Sequence, residues 1–251
     1  MTRTAREQIA NLFYVGSTPI TYSSLLGVRQ EVRQRILIPP RIGSIPIPPA
    51  KVRVFLKINM NLQPIYASFL FSNTLKLNNN ELEQFIYEQK ELGPGRSVSN
   101  YNGWQSDSLD LDSVPLQSFI KELDNNLLAV YNMTKMNPNK KPKITDVWAN
   151  VNGADSFNWE HRHQGLYSGA YYVKANKNSG ALFVSNPNPL SEYAIGLNSG
   201  VGSMYGSQKY ISVPYTGLLI VFPCWVPHGV APNTSDEDRI SISFNTEFVD
   251  V

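Results

Sequence analysis

GLLIVFPCWVPHGVAPNTSDEDRISISFN, residues 217–245, decides how this chain folds. Gly217–Phe222 is a short apolar run rich in β-formers, and RISISFN alternates with period two. That alternation sends Arg239, Ser241, Ser243 and Asn245 to one face and Ile240, Ile242 and Phe244 to the other. Asn233 to Asp236 is a cluster of turn formers between the two segments. Working back toward the N-terminus, strands are expected at Ile144–Asn152, Tyr167–Lys174, Ala181–Ser185 and Lys209–Pro214, with another at Arg239–Thr246. Short strands separated by Gly, Asn, Asp and Pro clusters indicate an antiparallel sandwich or barrel.

Two helices precede this β-rich half. ELEQFIYEQKE, after Asn78–Asn80, repeats Leu82, Phe85 and Ile86 at helical spacing and stops at Gly93-Pro94-Gly95. Pro115–Tyr131 carries a stripe of Leu116, Phe119, Ile120, Leu123, Leu127 and Val130, with Ser113 as a cap and Pro115 in the first turn. Both stripes are expected to cover one outer face of the β core. A strand is also expected at Ile65–Phe71, and NSGVGSMYGSQ, residues 198–208, is the best candidate for a loop that closes over a site.

Composition sets the frame. Of 251 residues, 42% are apolar and 17% charged, which is enough apolar material for a packed core and rules out wholesale disorder. One cysteine, Cys224, excludes a disulfide framework and a Cys-rich zinc module; it is expected to be a small buried hydrophobe. No stretch approaches 18 uninterrupted apolar residues, so no membrane-spanning helix is expected, and the expected location is the cytoplasm. Residues 1–59 carry nine Lys+Arg against two Asp+Glu and hold the proline cluster ILIPPRIGSIPIPP. They read as a basic, poorly ordered N-terminal extension, and residues 60–251 as one domain opening at Met60. Nucleic acid is not indicated as a partner of that domain.

The chain holds three histidines, His161, His163 and His228, all in the β-rich half. At i and i+2 on an extended segment, His161 and His163 share a face, about 7 Å apart along the chain. His228 follows the strand GLLIVF. His-x-His with one distant His is the spacing of a three-ligand metal site that keeps positions open for other molecules. Glu160 and Asp155 are rivals for the third ligand position; Glu160 points away from its neighbour His161, and Asp155 sits in the preceding turn. If residues 233–236 turn a hairpin, Arg239 lies about 10 Å from the metal position, the span of a five-carbon dicarboxylate. Arg can grip the far carboxylate of such a molecule through two parallel hydrogen bonds, with Ser241 beside it. One of Tyr171 and Tyr172 is expected to line the cavity while the other packs, and Trp104, Trp148, Trp159 and Trp225 are expected in the core or the cavity wall.

WANVNGADSFNWEHRHQGLYSGAYYV, the strand Gly180–Phe183, GLLIVFPCWVPHGVAPN, RISISFN and the earlier SNYNGWQS together resemble, in order and spacing, the 2-oxoglutarate/Fe(II)-dependent oxygenases of the prolyl-hydroxylase-like type found in marine bacteria and cyanophages. The resemblance spans about residues 62–245. It implies a mainly β protein with a double-stranded β-helix (jelly-roll) core and two preceding helices packed on one face. It implies Fe(II) held by His161, His163 and His228, where many such enzymes have Asp or Glu in place of His163. It implies 2-oxoglutarate gripped by Arg239 with Ser241, and polar groups from Asn150, Asn152 and Tyr172 around it. No catalytic residue beyond the metal ligands is implied. The activity would be a dioxygenase that uses O2, hydroxylates an unidentified substrate and releases succinate and CO2. Two other readings remain open at this stage: a three-histidine metal dioxygenase that does not use 2-oxoglutarate, and a non-catalytic jelly-roll binding or virion module.

The charge and proline content of residues 1–59 generate the first prediction. A chain beginning at Met60 should melt within a few degrees of the full chain by differential scanning calorimetry. A large drop in Tm would show that the extension packs on the domain.

Overall fold

A computed structural model describes residues 68–134, 137–187 and 209–251. The boundary expected at residue 60 and the loop 198–208 lie outside the described residues, as do residues 65–67 of the strand expected at Ile65–Phe71; in the described remainder the strand begins only at Phe71 and runs to Thr74.

Eleven strands among the described residues form two antiparallel sheets. They are β1 (Phe71–Thr74), β2 (Asn100–Tyr101), β3 (Trp104–Gln105), β4 (Lys140–Asn152), β5 (Phe157–His161), β6 (Tyr167–Lys174), β7 (Leu182–Ser185), β8 (Lys209–Ser212), β9 (Leu218–Pro223), β10 (His228–Val230) and β11 (Arg239–Asp250). The larger sheet runs β1-β9-β6-β11-β4-β3 and the smaller β2-β5-β10-β7-β8. Two helices, α1 (Asn79–Glu91) and α2 (Gln117–Thr134), come between β1 and β4. This is the expected jelly-roll, mainly β with two helices on one face. Among the described residues no helix is long and apolar enough to cross a membrane.

Alternation divides the larger sheet into a dry face and a wet face. Ile240, Ile242 and Phe244 of β11 join Val147, Ala149 and Val151 of β4, Tyr167 and Tyr171 of β6, and Leu219 and Val221 of β9 in one core cluster. The helical stripe of Leu82 and Ile86 packs into the same cluster, as does that of Leu116, Phe119, Leu123, Leu127 and Val130. Burying those stripes is what holds the helices, because polar side chains face the other way along each. Two tyrosines of β6 tie them down further. The Tyr171 hydroxyl donates to Asn79 Oδ1 at 2.7 Å at the start of α1, and the Tyr167 hydroxyl meets Thr134 Oγ1 at 2.9 Å at the end of α2. The intervening residues of the same strands point to the opposite face, toward the smaller sheet, and there they line a cavity.

Several boundaries differ from expectation. β4 starts at Lys140 and runs through Pro142, although the proline suggests a start after it. Only β11 pairs with that first half of β4, so its other edge is open and tolerates a residue without an N–H. β11 continues past Thr246 to Asp250. β5 and β10 are strands that alternation does not reveal, because one is bulged and the other has three residues. The hairpin expected between His228 and Arg239 does not form. Residues 231–238 instead carry the chain from the smaller sheet to the larger, where Arg239 pairs with Asn152.

Candidate active site

The three histidines converge at one point of the cavity. Each offers one ring nitrogen, and the three nitrogens lie within 4.8 Å of one another. His161 ends β5, directly opposite His228 at the start of β10. Between that pair and the next, Asn158 opposite Val230, β5 carries an extra residue. This β-bulge shifts the alternation, so Asn158 and His161 both line the cavity although three positions separate them. His163 lies just past the strand, held by its backbone N–H to the Cys224 carbonyl at 3.0 Å. Its ring packs on Trp148 of β4, with centroids 5.8 Å apart.

The rings are prepared to donate electron pairs. His161 Nδ1–H donates to the Trp159 carbonyl at 2.7 Å, and His228 Nδ1–H donates to the Val226 carbonyl at 2.9 Å. A carbonyl only accepts, so the proton sits on Nδ1 and the lone pair on Nε2. Burial keeps all three rings neutral. Desolvation lowers His161 below its ordinary value, His163 to about 4 and His228 to about 3, with mutual repulsion adding to the last two. Neutral imidazoles with free Nε2 atoms and no internal partner suit a divalent transition metal. Neither rival carboxylate joins the cluster. Glu160 instead accepts from the Ser185 hydroxyl, and Asp155 occupies a turn at φ 63°.

Arg239 reaches the same cavity from the larger sheet. Its side chain is 2% exposed, and among the described residues it has no carboxylate partner. Nη1 donates to the Ser179 carbonyl and, at 3.4 Å, to the Gly180 carbonyl. Burial lowers its pKa to about 10, so it stays charged at neutral pH. The acids next to it in sequence turn away. Asp238 accepts from the Tyr87 hydroxyl at 2.8 Å, and Glu237 accepts from the Asn176 amide at 3.0 Å. Ser241 and Tyr172, register partners on β11 and β6, line the cavity beside Arg239, and neither hydroxyl makes a hydrogen bond among the described residues. Tyr171 packs in the core, so the tyrosine pair divides as expected.

Asn150 lines the cavity and donates to Ser243 Oγ at 3.1 Å. Asn152 does not line it. At the end of β4 its amide lies against the Gly103 backbone, where an added Cβ would come within 2.3 Å, and its Nδ2 is buried without a partner. Trp148 forms part of the cavity wall, whereas Trp159 and Trp225 are 61% and 50% exposed. Cys224 is buried, and desolvation raises its thiol to about 11, as suits a packed residue. Gln105 of β3 also lines the cavity and was not among the expected site residues.

Two sheets of a jelly-roll thus enclose three convergent imidazoles, which could hold a metal ion, and a guanidinium with no carboxylate partner among the described residues. Residues 146–245 match the family model described as "Putative 2OG-Fe(II) oxygenase". No curated protein matches the chain. Among solved structures, HygX from Streptomyces hygroscopicus, with nickel and 2-oxoglutarate bound, is 14% identical with a TM-score of 0.50, covering 72% of this chain and 83% of its own. AviO1 from Streptomyces viridochromogenes Tue57 is 14% identical with a TM-score of 0.50, covering 72% and 90% respectively. A Pseudomonas putida prolyl-4-hydroxylase is 15% identical with a TM-score of 0.47, covering 70% and 91%. At these identities the two structures with a TM-score of 0.50 speak for the fold alone. The family match, over residues 146–245, supports an oxidoreductase that uses Fe(II), 2-oxoglutarate and O2. It favours that reading over those without 2-oxoglutarate and without catalysis.

The neutral histidines set a pH dependence. An unfolded imidazole takes up a proton near 6.5, and the folded chain holds all three below that. Below pH 6.5 the unfolded state therefore binds more protons, and stability falls with pH until the folded values are reached. Metal-free protein should lose urea midpoint between pH 7.5 and 4.5, and a triple His→Asn variant should lose less. Equal losses would show that carboxylates elsewhere dominate.

Proposed function

We propose that the protein hydroxylates an organic substrate, with 2-oxoglutarate and O2 consumed and succinate and CO2 released, at a centre formed by His161, His163, His228 and Arg239. One oxygen atom of O2 enters the substrate C–H bond and the other enters succinate, so atoms and electrons balance. The observation that carries this reading is one cavity containing both three free imidazole nitrogens and a buried, unpaired cation.

His161, His163 and His228 hold the metal through one nitrogen each, leaving positions open for the cosubstrate and O2. Fe(II), when bound, supplies the redox chemistry that couples decarboxylation of 2-oxoglutarate to oxidation of the substrate. The chain itself supplies geometry and charge. An unpaired guanidinium in an interior is costly, and a carboxylate returns the missing counterion. Arg239 therefore selects a dianionic cosubstrate and fixes its distal carboxylate, while the Ser241 and Tyr172 hydroxyls donate to the remaining oxygens. Asn150, one strand further across the sheet, stands next along the cavity wall. The dry faces of Leu182, Ile220 and Phe222 line or back this end of the cavity and keep bulk water from it.

Two measurements test this assignment. The wild-type chain should carry about one transition-metal ion by elemental analysis, and His228→Ala should carry little. Full occupancy in His228→Ala would show that the metal sits elsewhere. Arg239→Ala should keep its metal yet bind 2-oxoglutarate at least a hundredfold more weakly by calorimetry, since breaking a buried charged pair costs about 3–5 kcal/mol. Arg239→Lys should recover part of that loss, because a point charge cannot make the two-pronged contact. Undiminished affinity in Arg239→Ala would overturn the cosubstrate role.

A further inference from the structure

The cavity has a second polar end that the cosubstrate does not explain. Four register partners run in one row across four strands of the larger sheet: Tyr172, Ser241, Asn150 and Gln105. All four side chains line the cavity. Strands lie about 4.8 Å apart, so Gln105 stands about 10 Å from Ser241 and further from Tyr172. Arg239, beside Ser241, fixes the cosubstrate at one end of the row, and Gln105 occupies the other, on the edge strand.

Gln105 is 7% exposed, yet its side-chain amide makes no hydrogen bond among the described residues. The amide opens on the cavity, so both of its polar atoms are available to whatever occupies that space. The Trp148 indole, which packs on His163, faces the same space, and its N–H is likewise unpaired. Val98, 63% exposed, forms the rim of the cavity on this side. An entrance, an unused amide and an aromatic surface beside a candidate metal ligand therefore adjoin.

We propose that Gln105 and Trp148 form the subsite for the reacting substrate, and that the group they recognise is an uncharged carboxamide with its N–H and C=O on one edge, such as a lactam or a primary amide. This rests on the oxygenase reading above. Among the described residues no Asp, Glu or Lys lines the cavity, so a cation finds no counterion among them. Arg239 is the lining cation other than histidine, and the cosubstrate's carboxylate occupies it. A neutral ligand avoids both conflicts. The Gln105 amide presents an acceptor and a donor on one edge, and a lactam or primary amide, whose N–H and C=O also share an edge, matches it with two antiparallel hydrogen bonds. The indole covers the flat face of that group and places the adjoining carbon near His163.

The test uses the full chain loaded with Co(II) and 2-oxoglutarate, with proton NMR reading paramagnetic shift and broadening of small probes. 2-Pyrrolidinone, a lactam, should be broadened more than acetate or tetramethylammonium. Gln105→Leu should weaken 2-pyrrolidinone binding about fivefold, the effect of losing a neutral hydrogen bond, while the 2-oxoglutarate methylene signals stay broadened. Equal broadening of the three probes in the wild-type chain, or of 2-pyrrolidinone in both proteins, would overturn the subsite. Loss of the 2-oxoglutarate effect in the wild-type chain would overturn the oxygenase centre instead, so the two failures are distinct. Should Gln105→Leu fail to fold, the ranking of the three probes on the wild-type chain still decides.

Discussion

A guanidinium buried without a carboxylate is the constraint around which the larger sheet is arranged. At 2% exposure Arg239 has lost nearly all its water, and among the described residues it receives only the Ser179 and Gly180 carbonyls. Even that partial compensation needs a special backbone. Gly180 has φ +92°, and a Cβ there would lie 2.6 Å from the arginine Nη1, so another residue would push the cation away from its carbonyls. The three acids immediately before Arg239 would satisfy it readily, and at least two are committed elsewhere, Asp238 to Tyr87 and Glu237 to Asn176. The cation is thus held in deficit, and its positive charge becomes affinity for an anion. Structural stability alone would favour pairing it.

Asn233 shows how the turn that carries this arginine is fixed. Fully buried, it donates to the carbonyls of Asn152 and Glu237 at 2.9 and 2.7 Å and accepts from both the backbone and the hydroxyl of Ser235. Its backbone also bonds with Asp155 and Ser156 at the turn leading into β5. One residue therefore joins the end of β4 and the approach to Arg239 through its side chain and the approach to His161 through its backbone. The two halves of the site share a common mechanical reference, although they lie in different sheets.

Much of this was legible in the sequence, and the failures have physical causes. RISISFN reports its own strand because one face of β11 meets an apolar helical layer and the other a polar cavity, so side-chain chemistry alternates cleanly. The helical stripes are legible for the same reason. Phe157–His161 is opaque because its bulge breaks the period, and the same bulge makes the histidine spacing work. The turn at residues 233–236 says that the chain reverses there. It does not say that the chain leaves one sheet for another, which only pairing can reveal, so Arg239 reaches the cavity from the side opposite to the one a hairpin would use. Asn150 and Asn152 look equivalent by alternation, but Asn152 sits at the strand end, where Gly103 closes over it. Gln105 carries no periodic signal at all, since β3 is two residues long.

The triangle of histidine nitrogens is braced on two of its sides by backbone alone. His161 and His228 face each other across a ladder, which fixes their separation without help from their side chains. His163 N–H bonds the Cys224 carbonyl, and Cys224 N–H bonds the Leu166 carbonyl, so the loop after β5 is laced to the loop before β10. The Nδ1 bonds of His161 and His228 each return to a carbonyl two residues earlier, which aims each ring from its own backbone. Three donors therefore stand within 4.8 Å of one another before any ion arrives, and little conformational entropy remains to be lost on binding. A histidine in the middle position fits this frame better than a shorter carboxylate would. His163 lies past the end of the strand, and its ring spans the added distance while resting on Trp148. An aspartate there would have to draw the backbone inward against the Cys224 bond, and it would place a negative charge among groups that burial already holds neutral.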